Sequence, residues 1–357
     1  MPLPKRVCHS EPVVNDAAWS GGTLLKGIAW DRLLGRTGIL TLSLTALTAC
    51  GESDPYSAPR GASYVAEEVT VITASGLALK GTLTLPTDTD GPSAAAVTIT
   101  GSGSQDRDEY MPHVGEYRPF RQIADTLGTR GIAVLRLDDR GVNDSDPGPP
   151  GATSADVAED MRAAVEYLRA RPDIDGSRLA LVGHSEGGVI APMVAATDTM
   201  LAAVVLLAGP AYTLERVGGT FLEAVIARTP TLSEAEAADM RRQAARARAR
   251  RAEEDPWFRA ASVYDPLPTI RKVRAPVLLL QGDTDTQITP EQADTLAAAL
   301  RQAGNQDVTV ARFPETNHLF LEDKDGRASL YKGLPSHRVR GDVLGTLVDW
   351  LVDRLGT

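Results

Sequence analysis

The sequence predicts a doubly wound α/β domain: a mostly parallel sheet with helices on both faces and a helical lid inserted in its C-terminal half. Three observations carry this. Short continuous apolar runs bounded by turn residues recur along the chain, as expected of parallel strands buried on both faces. Amphipathic helical segments separate most of these runs, which is the alternation that builds such sheets. One interval, residues 209–274, is far longer than a crossover connection needs, so it reads as an insertion.

Taken in order, EEVTVITA (67–74) and LALKGTLTL (77–85) alternate polar and apolar residues like a half-exposed antiparallel pair turning at Ser75 and Gly76. The buried runs follow: AAAVTIT (94–100), GIAVLRL (131–137), RLALV (178–182), LAAVVLLA (201–208), APVLLL (275–280) and DVTVARF (307–313). Helical segments are expected at 118–130, 154–170, 187–196, 290–302 and 339–354. The lid, about 211–272, holds a helix opened by a capping box, Ser233 with Glu236 three residues on. The arginines of that helix, from Arg241 to Arg251, sit among Glu234, Glu236, Asp239, Glu253 and Glu254. They read as a solvated face rather than a nucleic-acid patch.

Composition sets outer bounds. The chain has 357 residues, 43% hydrophobic and 24% charged, with a formal charge of −10, which argues against a nucleic-acid binder. Two cysteines, Cys8 and Cys50, provide neither a disulfide framework nor a cysteine-based metal site. Residues 38–49 (GILTLSLTALTA) form an apolar run preceded by Arg32 and Arg36, too short to span a bilayer but suited to the apolar region of a secretory signal. Leu47, Thr48, Ala49 and Cys50 resemble a bacterial lipobox, so residues 1–49 are expected to be a lipoprotein-type signal and Cys50 the lipidated first residue of the mature chain. A buried strand with an incidental cysteine is the alternative. Residues 1–30 lack signal character, which an over-long start explains. GESDPYSAPRGAS reads as a flexible tether over 50–63, leaving 64–357 as the folded domain.

The most informative stretch is RLALVGHSEGGVIAPMVAA (178–196), which holds the pattern GxSxG at Gly183, Ser185 and Gly187. The bare pattern is weak. Here it directly follows a β run and opens a helix, the strand-turn-helix setting of a nucleophile elbow, so Ser185 is the expected nucleophile. A serine hydroxyl needs a base, and the base a carboxylate to orient it. In such chains the order is Ser, acid, His, and of the five histidines only His318 and His337 follow a plausible acid. His318 lies just beyond the run 307–313, within reach of the sheet edge, and is the expected base; His337, beside the last helix, suits a surface cap. His184 adjoins the nucleophile and is expected to serve packing or orientation. Asp285 in QGDTDTQITP is the expected acid and Asp283 the fallback, more suited to an Asx turn. Oxyanion donors are expected from the backbone N–H groups of Glu186 and Ser102, with Gly103 as runner-up to Ser102.

At these residues the sequence resembles the bacterial α/β-hydrolase esterases, a group related to dienelactone hydrolases, bile-acid-CoA acyltransferases and serine aminopeptidases. The resemblance covers about 64–357 and rests on ITGSGSQDRDE, LRLDDRGVNDS, LVGHSEGG, DPWFRAASVYDP, APVLLLQGDTDTQI and NHLF, in that order. It implies the α/β-hydrolase fold and sets nucleophile, acid and base on Ser185, Asp285 and His318. Ser104 departs from the proline common in relatives. Asp106, Arg107, Asp139 and Arg140 belong to the matching motifs, either bracing loops around the site or standing as solvated loop charges. The lid residues Phe221, Leu222, Val225, Ile226, Trp257 and Phe258 are candidates for an apolar acyl pocket, and helix packing against the sheet explains them equally well. The expected function is carboxylic-ester hydrolysis through an acyl-enzyme, with no metal or cofactor, a small-molecule ester as substrate and the membrane met only through lipid. A peptidase or thioesterase uses the same triad, and a binding-only lipoprotein is the reading from another class. Oligomeric state is not indicated.

Overall fold

A computed structural model describes residues 55–357. Its centre is an eight-stranded sheet: β1 (Tyr64–Ile72), β2 (Ala78–Pro86), β3 (Ser93–Ile99), β4 (Ile132–Leu137), β5 (Ile174–His184), β6 (Ala203–Leu207), β7 (Val277–Gly282) and β8 (Val308–Phe313). The spatial order is β1-β2-β4-β3-β5-β6-β7-β8, with β2 antiparallel to its neighbours and the remaining pairs parallel. The expected first pair is present, Thr73 to Leu77 closing its turn through the Thr73–Leu77 and Gly76–Thr73 backbone bonds.

Both faces of the sheet are covered. On β3, Ala95, Val97 and Ile99 point to one core and Ala94 and Ala96 to the other, the two-residue period of a strand buried on both sides. One face is packed by α2 (Ser154–Arg169), α3 (Gly187–Ala195) and α8 (Glu291–Gln302) through residues such as Met161, Ile190 and Leu296. The other is packed by α1 (Pro119–Gly128) and α9 (Gly341–Leu355). In α9 the buried residues Val343, Leu347, Val348, Leu351 and Leu355 form one stripe at helical spacing. Each such side chain contributes about 1.5–3 kcal/mol on leaving water.

From β3 the chain steps to β4 on one side, then crosses back through α2 to β5 on the other. The loops after β3 and β5 therefore open a crevice at the carboxyl ends of adjacent strands, where doubly wound sheets bind ligands. Between β6 and β7 lie the four helices of the insertion: α4 (Leu214–Ala227), α5 (Glu234–Glu254), α6 (Pro256–Val263) and α7 (Leu267–Ile270). The capping box opens α5, with Glu236 accepting from the Ser233 N–H at 2.8 Å. Only Ala237 of α5 is buried, and Arg241 pairs with Glu223 and Glu234. That is a solvated helix held by exposed ion pairs.

The expected signal segment 1–49 and Cys50 lie outside the described residues. Residues 55–63 of the expected tether are fastened to the domain, which corrects the start at 64. Arg121 donates to the carbonyls of Pro55 and Ser57, and the Tyr56 ring stacks on the Arg107 guanidinium at 4.3 Å. Among the described residues no helix is long and apolar enough to cross a membrane.

Candidate active site

Ser185 stands between β5 and α3 with φ 52°, a left-handed conformation that costs a non-glycine residue about 1–2 kcal/mol. Its N–H donates to the Leu207 carbonyl at 2.9 Å, which ties the turn to β6. The two flanking glycines are dictated by contact. A Cβ on Gly183 would lie 2.1 Å from the Gly187 carbonyl oxygen, and one on Gly187 would lie 2.1 Å from that of Ile99. The GxSxG spacing is thus the price of a turn this tight.

Across the crevice, the loop after β8 carries His318 and the loop after β7 carries Asp285. His318 Nε2 is 3.1 Å from Ser185 Oγ, and His318 Nδ1 is 2.7 Å from Asp285 Oδ2. Asp285 is 3% exposed, and a carboxylate so buried must be satisfied. Its Oδ1 accepts from the N–H groups of Gln287 and Ile288 at 2.8 and 2.9 Å, and its Oδ2 also accepts from Gln281 Nε2. The loop of His318 is rigidified by Asn317, whose Oδ1 accepts from the N–H groups of Leu319 and Leu321. Asp283 does not enter the site: it pairs with Arg312 at 2.7 Å near the surface, so the Asx turn expected of it belongs to Asp285 instead. His337 stays outside the site; its Nε2 is 3.1 Å from the Tyr331 carbonyl oxygen, in the last turn of the 3-10 helix Ala328–Gly333.

Ser102 and Glu186 line the same cavity as Ser185, and among the described residues neither donates its N–H to a protein acceptor. The loop bearing Ser102 is braced as the motifs suggested. Asp139 accepts from the Gln105 N–H at 2.9 Å and from Thr100 Oγ1, while Asp106 Oδ1 accepts from the N–H groups of Asp108 and Tyr110. Arg107 holds Asp138 with two nitrogens, and Arg140 holds Asp160 of α2 likewise. Burial pushes the Asp139 carboxyl up to about 8, against the pull of the Gln105 and Thr100 hydrogen bonds and with the help of the nearby Glu186 and Glu109 carboxylates.

The cavity measures about 160 Å³ and is mainly apolar. Its floor includes Val189 and Met193 of α3, one wall is Thr153, Ser154 and Ala155 at the start of α2, and the lid supplies Trp257, Ala260, Ala261 and Tyr264. Of the six lid residues expected to line it, only Trp257 does; Phe258 is buried beside Arg251, and the other four lie on α4, which reaches the cavity through Leu214 and Val217. The lid is latched to the elbow: Glu186 Oε1 accepts from Trp257 Nε1 at 2.6 Å and from Ser154 Oγ at 2.5 Å. Sequence reasoning missed this latch, and also Glu109, which accepts from the Gly101 N–H and contacts His184. The only signal for Glu109 was its place in the SQDRDE motif. Among the described residues no cluster of His, Cys, Asp or Glu is arranged to hold a metal ion.

Among proteins with known names, Esterase EstD of Thermotoga maritima is 27% identical over 249 residues, 67% of this chain and 58% of that protein. An uncharacterised protein of Mycobacterium tuberculosis is 26% identical over 213 residues, 58% of this chain and 61% of its own. The chain thus spans about three-fifths of the length of the curated relatives it matches. An esterase of Pyrococcus furiosus superposes with a TM-score of 0.56 at 17% identity, covering 84% of this chain and 94% of its own, which attests the shared fold. The model of the prolyl oligopeptidase family matches residues 150–356, from the start of α2 through α9. With more than half of its length matched there, the chain belongs to the prolyl oligopeptidase family and has the α/β-hydrolase fold.

Proposed function

We propose that the protein hydrolyses carboxylic esters through a Ser185–His318–Asp285 triad and an acyl-enzyme. The observation that carries this is the unbroken chain of contacts, 3.1 Å from Ser185 Oγ to His318 Nε2 and 2.7 Å from His318 Nδ1 to Asp285 Oδ2, at the wall of an apolar cavity. Ser185 Oγ bonds to the ester carbonyl carbon as its proton passes to His318 Nε2. The oxyanion takes hydrogen bonds from the N–H groups of Glu186 and Ser102, with Gly103 next in line for the second. The tetrahedral species then breaks its bond to the alkoxy oxygen, which leaves with the proton from His318. Water, deprotonated by His318, attacks the acyl-enzyme, and Ser185 recovers its proton as the carboxylic acid departs. Asp285 holds the imidazole in the tautomer whose Nε2 is free to accept.

The substrate reading draws support from the relative named Esterase EstD and from the apolar lining under the lid. The same triad cleaves peptides and thioesters. A panel of p-nitrophenyl esters of rising acyl length beside aminoacyl and peptidyl anilides tests the choice. Esters turned over at the higher kcat/KM support it; anilides preferred over every ester make the protein a peptidase. The same proposal includes export and anchoring through lipid on Cys50. Removing residues 1–49 takes away five basic and three acidic side chains and moves the formal charge from −10 to −12, so anionic headgroups repel the remaining surface. Acyl chains then supply the attachment.

A further inference from the structure

Behind Ser185 lies a second imidazole–carboxylate pair that this reaction does not use. His184 ends β5 and Glu109 sits in the loop after β3; they are 5% and 1% exposed. Glu109 Oε1 lies 2.8 Å from His184 Nδ1 and accepts from the Gly101 N–H at 2.8 Å. His184 Nε2 lies 3.1 Å from the backbone carbonyl oxygen of His318. A carbonyl oxygen only accepts, so Nε2 carries a hydrogen. A neutral ring with that proton would then aim the Nδ1 lone pair at a carboxylate oxygen, which a buried site does not tolerate. A proton therefore lies between Nδ1 and Oε1. Oε1 already accepts from the Gly101 N–H, and the raised His184 pKa sets the proton on Nδ1.

We propose that His184 is a buried imidazolium and that, with Glu109, it forms a positioning strap joining the oxyanion loop at Gly101 to the backbone of the base at His318. The inference rests on the triad reading above. The topology shows why such a strap is needed. The Ser102 loop leaves β3 and the His318 loop leaves β8, four strands apart in the sheet, with β5 and its elbow between them. His184, at the end of β5, reaches both loops from the position directly before Ser185. The groups facing the pair are Glu109, His318 and Asp285 around the ring, with Tyr117 and Asp139 toward Glu109. Burial lowers the His184 pKa, but the Glu109 carboxylate and the His318 carbonyl outweigh it and leave the pKa raised. Glu109 Oε2 is buried without a hydrogen-bond partner among the described residues, so His184 is the carboxylate's main compensation. The pair is neutral as a whole, and its ring centroid 5.0 Å from that of His318 adds no net charge opposing the imidazolium formed there in catalysis.

The strap holds below the raised His184 pKa and is lost as pH rises through it. Full-length protein labelled with ¹⁵N-histidine, assigned with H184Q, reads this directly. The expected spectrum has protons on both His184 nitrogens at a pH about one unit above the ordinary imidazole value of about 6.5. An unprotonated His184 nitrogen under those conditions overturns the proposal. In activity, the amide oxygen of E109Q still accepts from the Gly101 N–H and from His184 Nδ1, but without the carboxylate charge His184 keeps a single proton and leaves either residue 109 or the His318 carbonyl unserved, so kcat is expected to fall at least about tenfold while KM stays within about threefold. Should E109Q fail to fold, H184Q carries this arm: its amide N–H still donates but cannot titrate. An alkaline fall in kcat matching the His184 titration, present in wild type and absent from the variant, supports the strap, and an identical profile in both overturns it. The spectrum is independent of turnover. If Ser185 proves unreactive while His184 is doubly protonated, the triad reading fails and the buried imidazolium stands.

Discussion

Replacing Asp285 by Asn changes one atom in a fully committed carboxylate. Two of its four acceptor contacts, from the N–H groups of Gln287 and Ile288, are kept by the amide oxygen. The amide nitrogen then stands where Oδ2 was, 2.7 Å from His318 Nδ1, and donor meets donor. His318 relieves this by moving its proton to Nε2, which leaves it nothing with which to accept from Ser185 Oγ at 3.1 Å. Losing the correct tautomer in this arrangement lowers kcat by about 10⁴, or ~5.4 kcal/mol at 1.36 kcal/mol per factor of ten. Asp283→Asn is the control. Its ion pair with Arg312 joins side chains 36% and 37% exposed, a surface contact worth about 0–1 kcal/mol, and kcat should stay within about threefold of wild type. Initial rates on a p-nitrophenyl ester, with folded fractions matched by circular dichroism, decide the matter. If D285N keeps more than about one-hundredth of wild-type kcat, or if D283N is the more damaging, the assignment of the acid is wrong.

The remaining predictions concern the elbow, a titrating carboxyl and the N-terminal segment. Gly187→Ala places a Cβ 2.1 Å from the Ile99 carbonyl oxygen, so denaturant titration should show a loss of about 3 kcal/mol or more; a loss below about 1 kcal/mol refutes the elbow's packing. Asp139, with its pKa raised to about 8 from an ordinary carboxyl value, keeps its proton in the folded protein after the unfolded chain has lost it. Wild type should therefore lose stability relative to D139N as pH rises from 5 to 8, and a flat difference contradicts the raised value. For the lipoprotein reading, Cys50→Ser expressed with its signal in a bacterium should be neither lipidated nor processed. A wild-type mature protein whose intact mass matches an unmodified chain sinks that proposal.

What was legible in the sequence was whatever rests on local pattern. The runs at 94–100 and 275–280 could be read as buried strands because both faces of β3 and β7 pack on helices, leaving no polar alternation. The elbow was legible because the close approaches of Gly183 and Gly187 admit no other residue, which writes backbone geometry into residue identity. Asp285 and His318 followed from chain order and from their places just beyond apolar runs. The lining of the cavity was not legible. Phe221, Leu222, Val225 and Ile226 are apolar, but which face of α4 turns to the cavity depends on how the lid helices dock, and Leu214 and Val217 were the ones facing it. The Glu186–Trp257 latch and the Glu109–His184 contact join residues 71 and 75 positions apart, and no local pattern announces such pairs. The span 55–63 reads as a free tether from its Gly, Pro and Ser, whereas the carbonyls of Pro55 and Ser57 are taken up by Arg121, a residue far along the chain.

The central claim is that Ser185 is a nucleophile activated by His318 and Asp285. Its most direct test is reaction of the intact protein with a fluorophosphonate, followed by mass measurement and peptide mapping. One adduct is predicted, on Ser185, with no labelling of S185A and labelling of D285N slowed by orders of magnitude. An adduct on any other residue, or equal labelling of S185A, contradicts the account.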